Sequence, residues 1–203
     1  MTYDGFKPLF VLTLKSPRAA ARQILAMDLP PQALWLALSL VSVLTSLIFS
    51  GLLQMAELPE GDMGEMARGS PGYSSPLIFA LMQWGRAVLS IFVLLWVGQT
   101  LGGQGRLVDV LAVITWLQVV GFCVILALSV AGLILPFVTT LGFFAFFVWW
   151  LWAVVGFLDE AHGFNSPIKA FGVLLMSVLG VLIGLSIFMG AVLSLFAGLT
   201  GGV

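Results

Sequence analysis

Five long apolar stretches run along the chain, and short polar segments separate them. A helix that crosses the hydrocarbon core of a bilayer needs about 20 mostly apolar residues, and each stretch is at least that long. The changes between apolar and polar residues predict spans at residues 32–54, 77–101, 107–130, 133–158 and 168–199. The chain is therefore expected to be all-α, a polytopic integral membrane protein with five transmembrane helices.

The polar residues divide the chain into two parts. Residues 1–31 are predicted to form a cytoplasmic N-terminal segment, and residues 32–203 a five-span transmembrane domain. The apolar run from residue 107 to 158 is too long for one helix. Gly132 and Pro136 predict a turn and a helix restart inside it.

A short helix is predicted ahead of the first span. Ser16 can cap a helix and Pro17 fits the first helical position, while a Pro-Pro pair stops the helix before the membrane. Arg18 and Arg22 lie among apolar residues, a pattern typical of an interfacial helix in the headgroup plane. The alternative is a soluble helix on the cytoplasmic face of the protein itself. These arginines also interrupt the stretch in which a signal peptide would need its apolar core.

Composition supports a lipid environment. Hydrophobic residues make up 61% of the chain and charged residues 8%, whereas soluble domains are near half apolar and about a quarter charged. The net charge of -1 argues against binding of nucleic acid, which needs a basic footprint. The single cysteine, Cys123, forms no intrachain disulfide, and one histidine leaves little for a metal site. We expect neither a metal nor a cofactor.

Lysine and arginine predict the orientation. One side of the membrane holds six of them, namely Lys7, Lys15, Arg18, Arg22, Arg106 and Lys169. The other side holds Arg68 alone, in the segment between the first two spans. Basic residues are retained in the cytoplasm, so the N-terminus is expected inside and the C-terminus outside.

Arg86 is the most informative polar residue. It lies nine residues into the second span, roughly 13 Å from the start of that helix. A charge at this depth is costly and is a functional candidate by default. Gln83 precedes it by one turn, and Gln118 and Thr115 of the third span lie at similar depth if the two helices are antiparallel. The group is expected to be either a structural hydrogen-bonding hub or a site for an anion or a lipid phosphate.

Small residues recur along the fifth span at steps of three, four and seven. They are Ser177, Gly180, Gly184, Ala191, Ser194 and Gly198. Small residues let helices approach closely in lipid. We call this set the small-residue seam and expect it to pack either within the chain or between two chains.

Two charged segments lie between the spans. The turn after the fourth span contains Asp159, Glu160 and His162, and together with Arg18 and Arg22 these are candidate cytoplasmic interaction residues. A plain solvated turn is the alternative. The segment between the first two spans carries four carboxylates without the spacing of a calcium loop, so a solvated flexible loop is expected there.

Catalytic motifs are missing from the sequence. We find no paired intramembrane acids, no His-Glu-x-x-His pair and no Gly-x-Ser-x-Gly elbow. The Gly-rich joint at residues 101–106 lacks the Lys-Ser/Thr ending of a phosphate-binding loop and predicts a tight turn. No catalytic residue is therefore predicted, and we expect a protein that is not an enzyme.

Five short motifs suggest a family. They are Pro17-Arg18-Ala19-Ala20, Leu29-Pro30, Leu101-Gly102-Gly103-Gln104-Gly105, Trp116-Leu117-Gln118 and Glu160-Ala161-His162-Gly163-Phe164. With these motifs the chain resembles the bacterial branch of the Yip family, the Ypt/Rab-interacting membrane proteins. The resemblance implies five spans, a cytoplasmic N-terminus, a periplasmic C-terminus and a place in the bacterial inner membrane. Eukaryotic members are linked to vesicle traffic, prenylated Rab GTPases and membrane shape.

Two functions follow as expectations. The first is a non-enzymatic membrane scaffold or adaptor of the Yip type, linked to membrane organisation or trafficking. Its expected partners are the lipid bilayer and either a second copy of the chain or another membrane protein. The alternative is a small transporter, channel or lipid-handling protein that uses Arg86.

Overall fold

The computed structural model describes residues 3–132 and 134–199, and they form helices joined by short connections. The helices are α1 (Tyr3–Lys15), α2 (Pro17–Leu25), α3 (Pro31–Met55), α4 (Asp62–Gly69), α5 (Pro71–Ser74), α6 (Pro76–Thr100), α7 (Leu107–Gly132), α8 (Pro136–His162) and α9 (Pro167–Leu199). Helices α3, α6, α7, α8 and α9 are long and apolar enough to cross a membrane. The predicted all-α fold with five spans is confirmed.

Proline sets the start of most helices. Six of them, α2, α3, α5, α6, α8 and α9, have proline at the first helical position. The N–H that proline lacks would be unpaired there in any case, and its fixed φ suits the helix. The expected break between the third and fourth spans is present, since α7 ends at Gly132 and α8 begins at Pro136.

The five spans form a ring. Helix α3 packs against α6 and α7, α7 packs against α8, and α9 closes the ring by packing against both α6 and α8. Helix α7 is the most buried of the spans, and the others leave large apolar side chains exposed on the outer surface. This pattern is expected where lipid rather than water covers the outside of a bundle.

The N-terminal helices dock on the bundle through two indole hydrogen bonds. Trp116 Nε1 of α7 donates to the buried Thr13 Oγ1 at 2.9 Å. Trp149 Nε1 of α8 donates to the Leu14 carbonyl at 3.1 Å. Helix α2 buries its own apolar face, including Ala21 and Ile24, against the bundle. Its place in the headgroup plane remains a prediction.

The segment between α3 and α6 differs from the solvated loop expected there, because it contains α4 and α5. Asp62 and Glu65 lie in the first turn of α4, where the helix dipole favours negative charge. The segment is tied to α3 by Gln54, whose Nε2 donates to the Tyr73 carbonyl at 3.1 Å. The hydrophilic composition predicted a loop, and the structure has two short helices there instead.

Candidate functional site

Three segments meet at one end of the bundle. They are the α1–α2 hairpin, the α6–α7 joint and the α8–α9 turn, and we call this region the basic end. The backbone N–H of Gln104 in the joint donates to the His162 carbonyl in the turn at 2.9 Å. The same three segments carry the excess of lysine and arginine in the sequence. These three segments therefore lie on one side of the bundle, as the distribution of basic residues predicts. The cytoplasmic location of that side remains a prediction.

Two ion pairs hold α2 to the last turn of α8. Arg18 is paired with Asp159, whose side chain is only 2% exposed. Asp159 also accepts a hydrogen bond from the Ser166 backbone N–H at 2.7 Å, just before α9 begins. Arg22 Nε lies 3.0 Å from Glu160 Oε2. These four candidate interaction residues are thus partners of one another within the chain.

His162 is enclosed by glycines. It is 1% exposed, its ring stacks on Phe164 with centroids 5.3 Å apart, and its Nδ1 lies 3.1 Å from the Leu158 carbonyl. A Cβ added at Gly103 would lie 2.8 Å from His162 Cβ, and one added at Gly105 would lie 2.9 Å from His162 Cδ2. A Cβ at Gly98 would overlap the ring itself. The joint is rich in glycine because the histidine occupies the space that side chains would need.

The second ring nitrogen of His162 is buried. Nε2 makes no hydrogen bond within the described part of the chain. Because the Leu158 oxygen can only accept, Nδ1 carries the proton of that hydrogen bond. His162 therefore serves as a packing element at the basic end.

Arg86 lines a cavity of about 610 Å³ inside the ring. All five spans contribute to its walls, and the polar side chains on it are Thr45, Gln83, Arg86, Ser90 and Gln118. The rest of the lining is apolar and includes Phe122, Phe143, Phe146, Phe147 and Trp150. Four residues were predicted to form one polar group, and the structure places three of them, Arg86, Gln83 and Gln118, on this cavity. The fourth, Thr115, is buried outside this lining, and its Oγ1 has no hydrogen-bond partner within the described structure.

The Arg86 side chain is only partly satisfied by protein. Its Nε donates to Gln83 Oε1 at 3.1 Å. Neither terminal nitrogen has a partner among the residues that the structure describes, and none of the ion pairs found there includes Arg86. Asp109, the carboxylate at the start of α7, is held by Arg106 at the basic end with Nη2 to Oδ1 at 2.9 Å. That hydrogen bond raises the pKa of Arg106.

A second, smaller cavity of about 240 Å³ lies between α6 and α9. Arg86, Ser90, Leu94 and Leu174 line both cavities, so the two meet at these residues. The remaining lining of the smaller cavity is apolar apart from Ser177. We call it the α6–α9 groove.

The comparison with protein families matches the Yip1 domain over residues 11–201. The chain belongs to the Yip1 domain family. The match runs from α1 through all five spans, and the family resemblance seen in the sequence motifs is confirmed. Neither the comparison with curated proteins nor that with solved structures found a match.

The small-residue seam of this Yip1 domain faces more than one environment. Ser177 is buried and lines the α6–α9 groove. Gly180 and Gly184 are exposed, and a Cβ added at either would meet nothing within 4 Å. Ala191, Ser194 and Gly198 lie beyond the side chains that the structure describes. Whether the seam packs within or between chains remains a prediction.

Sequence reasoning missed two features of this Yip1 domain. One is Gly98, the α6 residue that completes the enclosure of His162, since a single glycine in an apolar span gives no signal. The other is the Thr13–Trp116 hydrogen bond. A threonine in the first helix and a tryptophan in the third span show no pattern that would pair them.

Proposed function

We propose that this Yip1 domain protein handles membrane lipids by binding an anionic headgroup at Arg86. The observation that carries the proposal is a guanidinium on the wall of an intramembrane cavity, with two terminal nitrogens that have no partner among the described residues. Arg86 lies ten residues into α6, about 15 Å along the helix at 1.5 Å per residue. That depth is about half of a hydrocarbon core that is about 30 Å thick.

The charge on Arg86 needs a counter-charge or water at this depth. A charged side chain near the bilayer centre is costly, and the amide of Gln83 offers only one acceptor. A phosphate group presents several oxygens, which suit the forked donors of a guanidinium. A bound lipid would bring such a group together with its own apolar chain.

The cavity around Arg86 suits an amphiphile in size and lining. Its volume of about 610 Å³ is within the range of about 300–1,000 Å³ that is typical of small-molecule sites. Such sites combine an apolar wall with a few polar groups that fix orientation. Here the aromatic side chains of α7 and α8 would contact an acyl chain, while Arg86, Gln83 and Gln118 would contact the headgroup.

Replacing Arg86 by Gln should abolish most lipid handling. Liposomes containing fluorescent phosphatidylglycerol report transfer between leaflets, because dithionite bleaches only the outer leaflet. The purified protein should raise the bleached fraction, and Arg86→Gln should slow this transfer about tenfold or more, since hydrogen bonds to charged groups contribute about 1.5–3 kcal/mol. Arg68→Gln, the same change in α4, is the matched control. Equal transfer by wild type and Arg86→Gln, or none by wild type, would contradict the proposal.

A scaffold role is the second proposal, and the open face at Gly180 and Gly184 supports it. Two glycines one turn apart let a neighbouring helix approach closely in lipid. A second copy of the chain is the simplest partner for such a face.

Cross-linking at Gly184 tests the scaffold role. In a Cys123→Ala background, Gly184→Cys should form a disulfide dimer on oxidation in membranes. Gly172→Cys is the control, at an α9 position near the basic end. A monomer in both variants would count against contact between copies through this face.

A further inference from the structure

The α6–α9 groove opens beside the proposed headgroup site. Arg86 and Ser90 lie on the walls of both the groove and the larger cavity. Beyond this polar point the groove is lined by Val93, Val178, Val181 and Leu182. Two apolar compartments therefore extend from one polar junction, and Arg86 is exposed at that junction.

Ser177 provides an independent observation on the α9 side of the groove. It is 5% exposed, and its Oγ has no hydrogen-bond partner within the described residues. Serines in membrane helices commonly bond the carbonyl four residues earlier, as Ser90 does to Arg86 and Ser186 does to Leu182, both at 2.8 Å. Ser177 makes no such bond. A buried hydroxyl without a partner is unfavourable, and rotation about the Ser177 Cα–Cβ bond would present it to a ligand oxygen in the groove.

We propose that the lipid bound at Arg86 has two acyl chains. This inference rests on the proposed function, and it names the class of lipid. Arg86 and Ser177 contact the phosphate from α6 and α9. One chain occupies the aromatic cavity and the other occupies the α6–α9 groove. A single-chain lipid would leave one apolar compartment without its chain and would bind more weakly.

The groove has a volume that fits part of a ligand rather than a whole one. It is about 240 Å³, below the range of about 300–1,000 Å³ for complete small-molecule sites. Its contact with the larger cavity at four shared lining residues makes it an extension of that site. Because α6 and α9 alone supply its lining, substitutions on α9 can fill it without touching the aromatic cavity.

Lipids that differ only in chain number test the inference. Dioleoyl phosphatidic acid and oleoyl lysophosphatidic acid share a phosphomonoester headgroup, and native mass spectrometry of the detergent-solubilised protein measures the binding of each. The wild-type protein should bind the two-chain lipid about tenfold more tightly, because the second chain buries apolar surface that the one-chain lipid lacks. Ser177→Ala should weaken both lipids by about threefold to tenfold.

Filling the groove should remove the preference for two chains. Val178→Trp places a large side chain in the groove and should reduce binding of the two-chain lipid to the level of the one-chain lipid. Leu179→Trp is the matched control, because Leu179 is exposed on α9 and lies outside the groove lining. If Val178→Trp does not fold, Val181→Phe makes the same test with a smaller side chain.

The outcomes separate this inference from the proposed function. The two-chain inference would be overturned if the wild-type protein bound both lipids equally, or if the preference persisted in the folded groove-filling variant. The proposed function would still stand in that case, provided that Arg86→Gln loses lipid binding. No binding of either lipid by wild type, or full binding by Arg86→Gln, would overturn both. Displacement of the bound lipid by inorganic phosphate alone would show an anion site without chain recognition, which also contradicts the inference.

Discussion

Replacing Gly98 by Ala is expected to destabilise the bundle by about 1–3 kcal/mol, the range for a methyl group inserted into a filled site. The new Cβ would overlap the ring of His162. The ring has no free direction to move, because Gly103 and Gly105 already approach it from the joint and Phe164 stacks on it. The thermal unfolding midpoint in detergent micelles, followed by near-ultraviolet circular dichroism, should fall by roughly 2–4 °C per kcal/mol.

Two variants make the Gly98 result specific. Gly85→Ala changes the same residue type in the same helix, but its added Cβ meets nothing within 4 Å, so the midpoint should stay equal or rise. In Gly98→Ala/His162→Ala the overlap is gone, and the loss should be smaller than the sum of the two single losses. Identical midpoints for Gly98→Ala and Gly85→Ala would mean that His162 is not packed against α6 as described.

Replacing Arg18 by Met is expected to release the N-terminal helices from the bundle. The Asp159 carboxylate is 2% exposed, and among the described residues it would keep only the Ser166 N–H as a partner. Leaving such a group without its charged partner costs about 1–3 kcal/mol, and the value is moderated here because the Arg18 side chain is 41% exposed. Methionine retains an apolar side chain like the stem of arginine, so the variant measures the loss of the charge rather than the loss of packing. Trypsin cleavage after Lys15 should become faster.

Arg22→Met is the matched control for Arg18→Met. The Arg22 side chain is 68% exposed in its pair with Glu160, and exposed pairs contribute about 0–1 kcal/mol. Cleavage after Lys15 should therefore stay near the wild-type rate. If both variants are cleaved at the same rate, burial of Asp159 does not decide how firmly α2 is held.

The sequence was sufficient for features that depend on local composition. Hydropathy over about 20 residues determines which stretches can cross a membrane, so the five spans were predictable. Helix periodicity and antiparallel order place Gln83 and Gln118 at the depth of Arg86, and both line its cavity. Proline at the start of a helix gave several boundaries, including Pro17 and Pro136.

Features that depend on contacts between distant segments were not predictable. The sequence showed the joint at residues 101–106 and the turn containing His162 as two separate motifs, and only the fold places one around the other. The ion pair between Arg18 and Asp159 was not predictable for the same reason, because only the fold brings its two segments together. Thr115 was expected beside Arg86 because of its depth, but the rotation of α7 directs it away from the cavity lining.

The length of the last span has a consequence for how α9 fits into a bilayer. Helix α9 contains 33 residues, about 50 Å at 1.5 Å per residue, against a hydrocarbon core of about 30 Å. Such hydrophobic mismatch is relieved by tilting, by local thickening of the bilayer or by projection of one end. Because α9 forms one wall of the α6–α9 groove, a change in its tilt changes the groove width. Bilayer thickness is therefore expected to change the width of this groove.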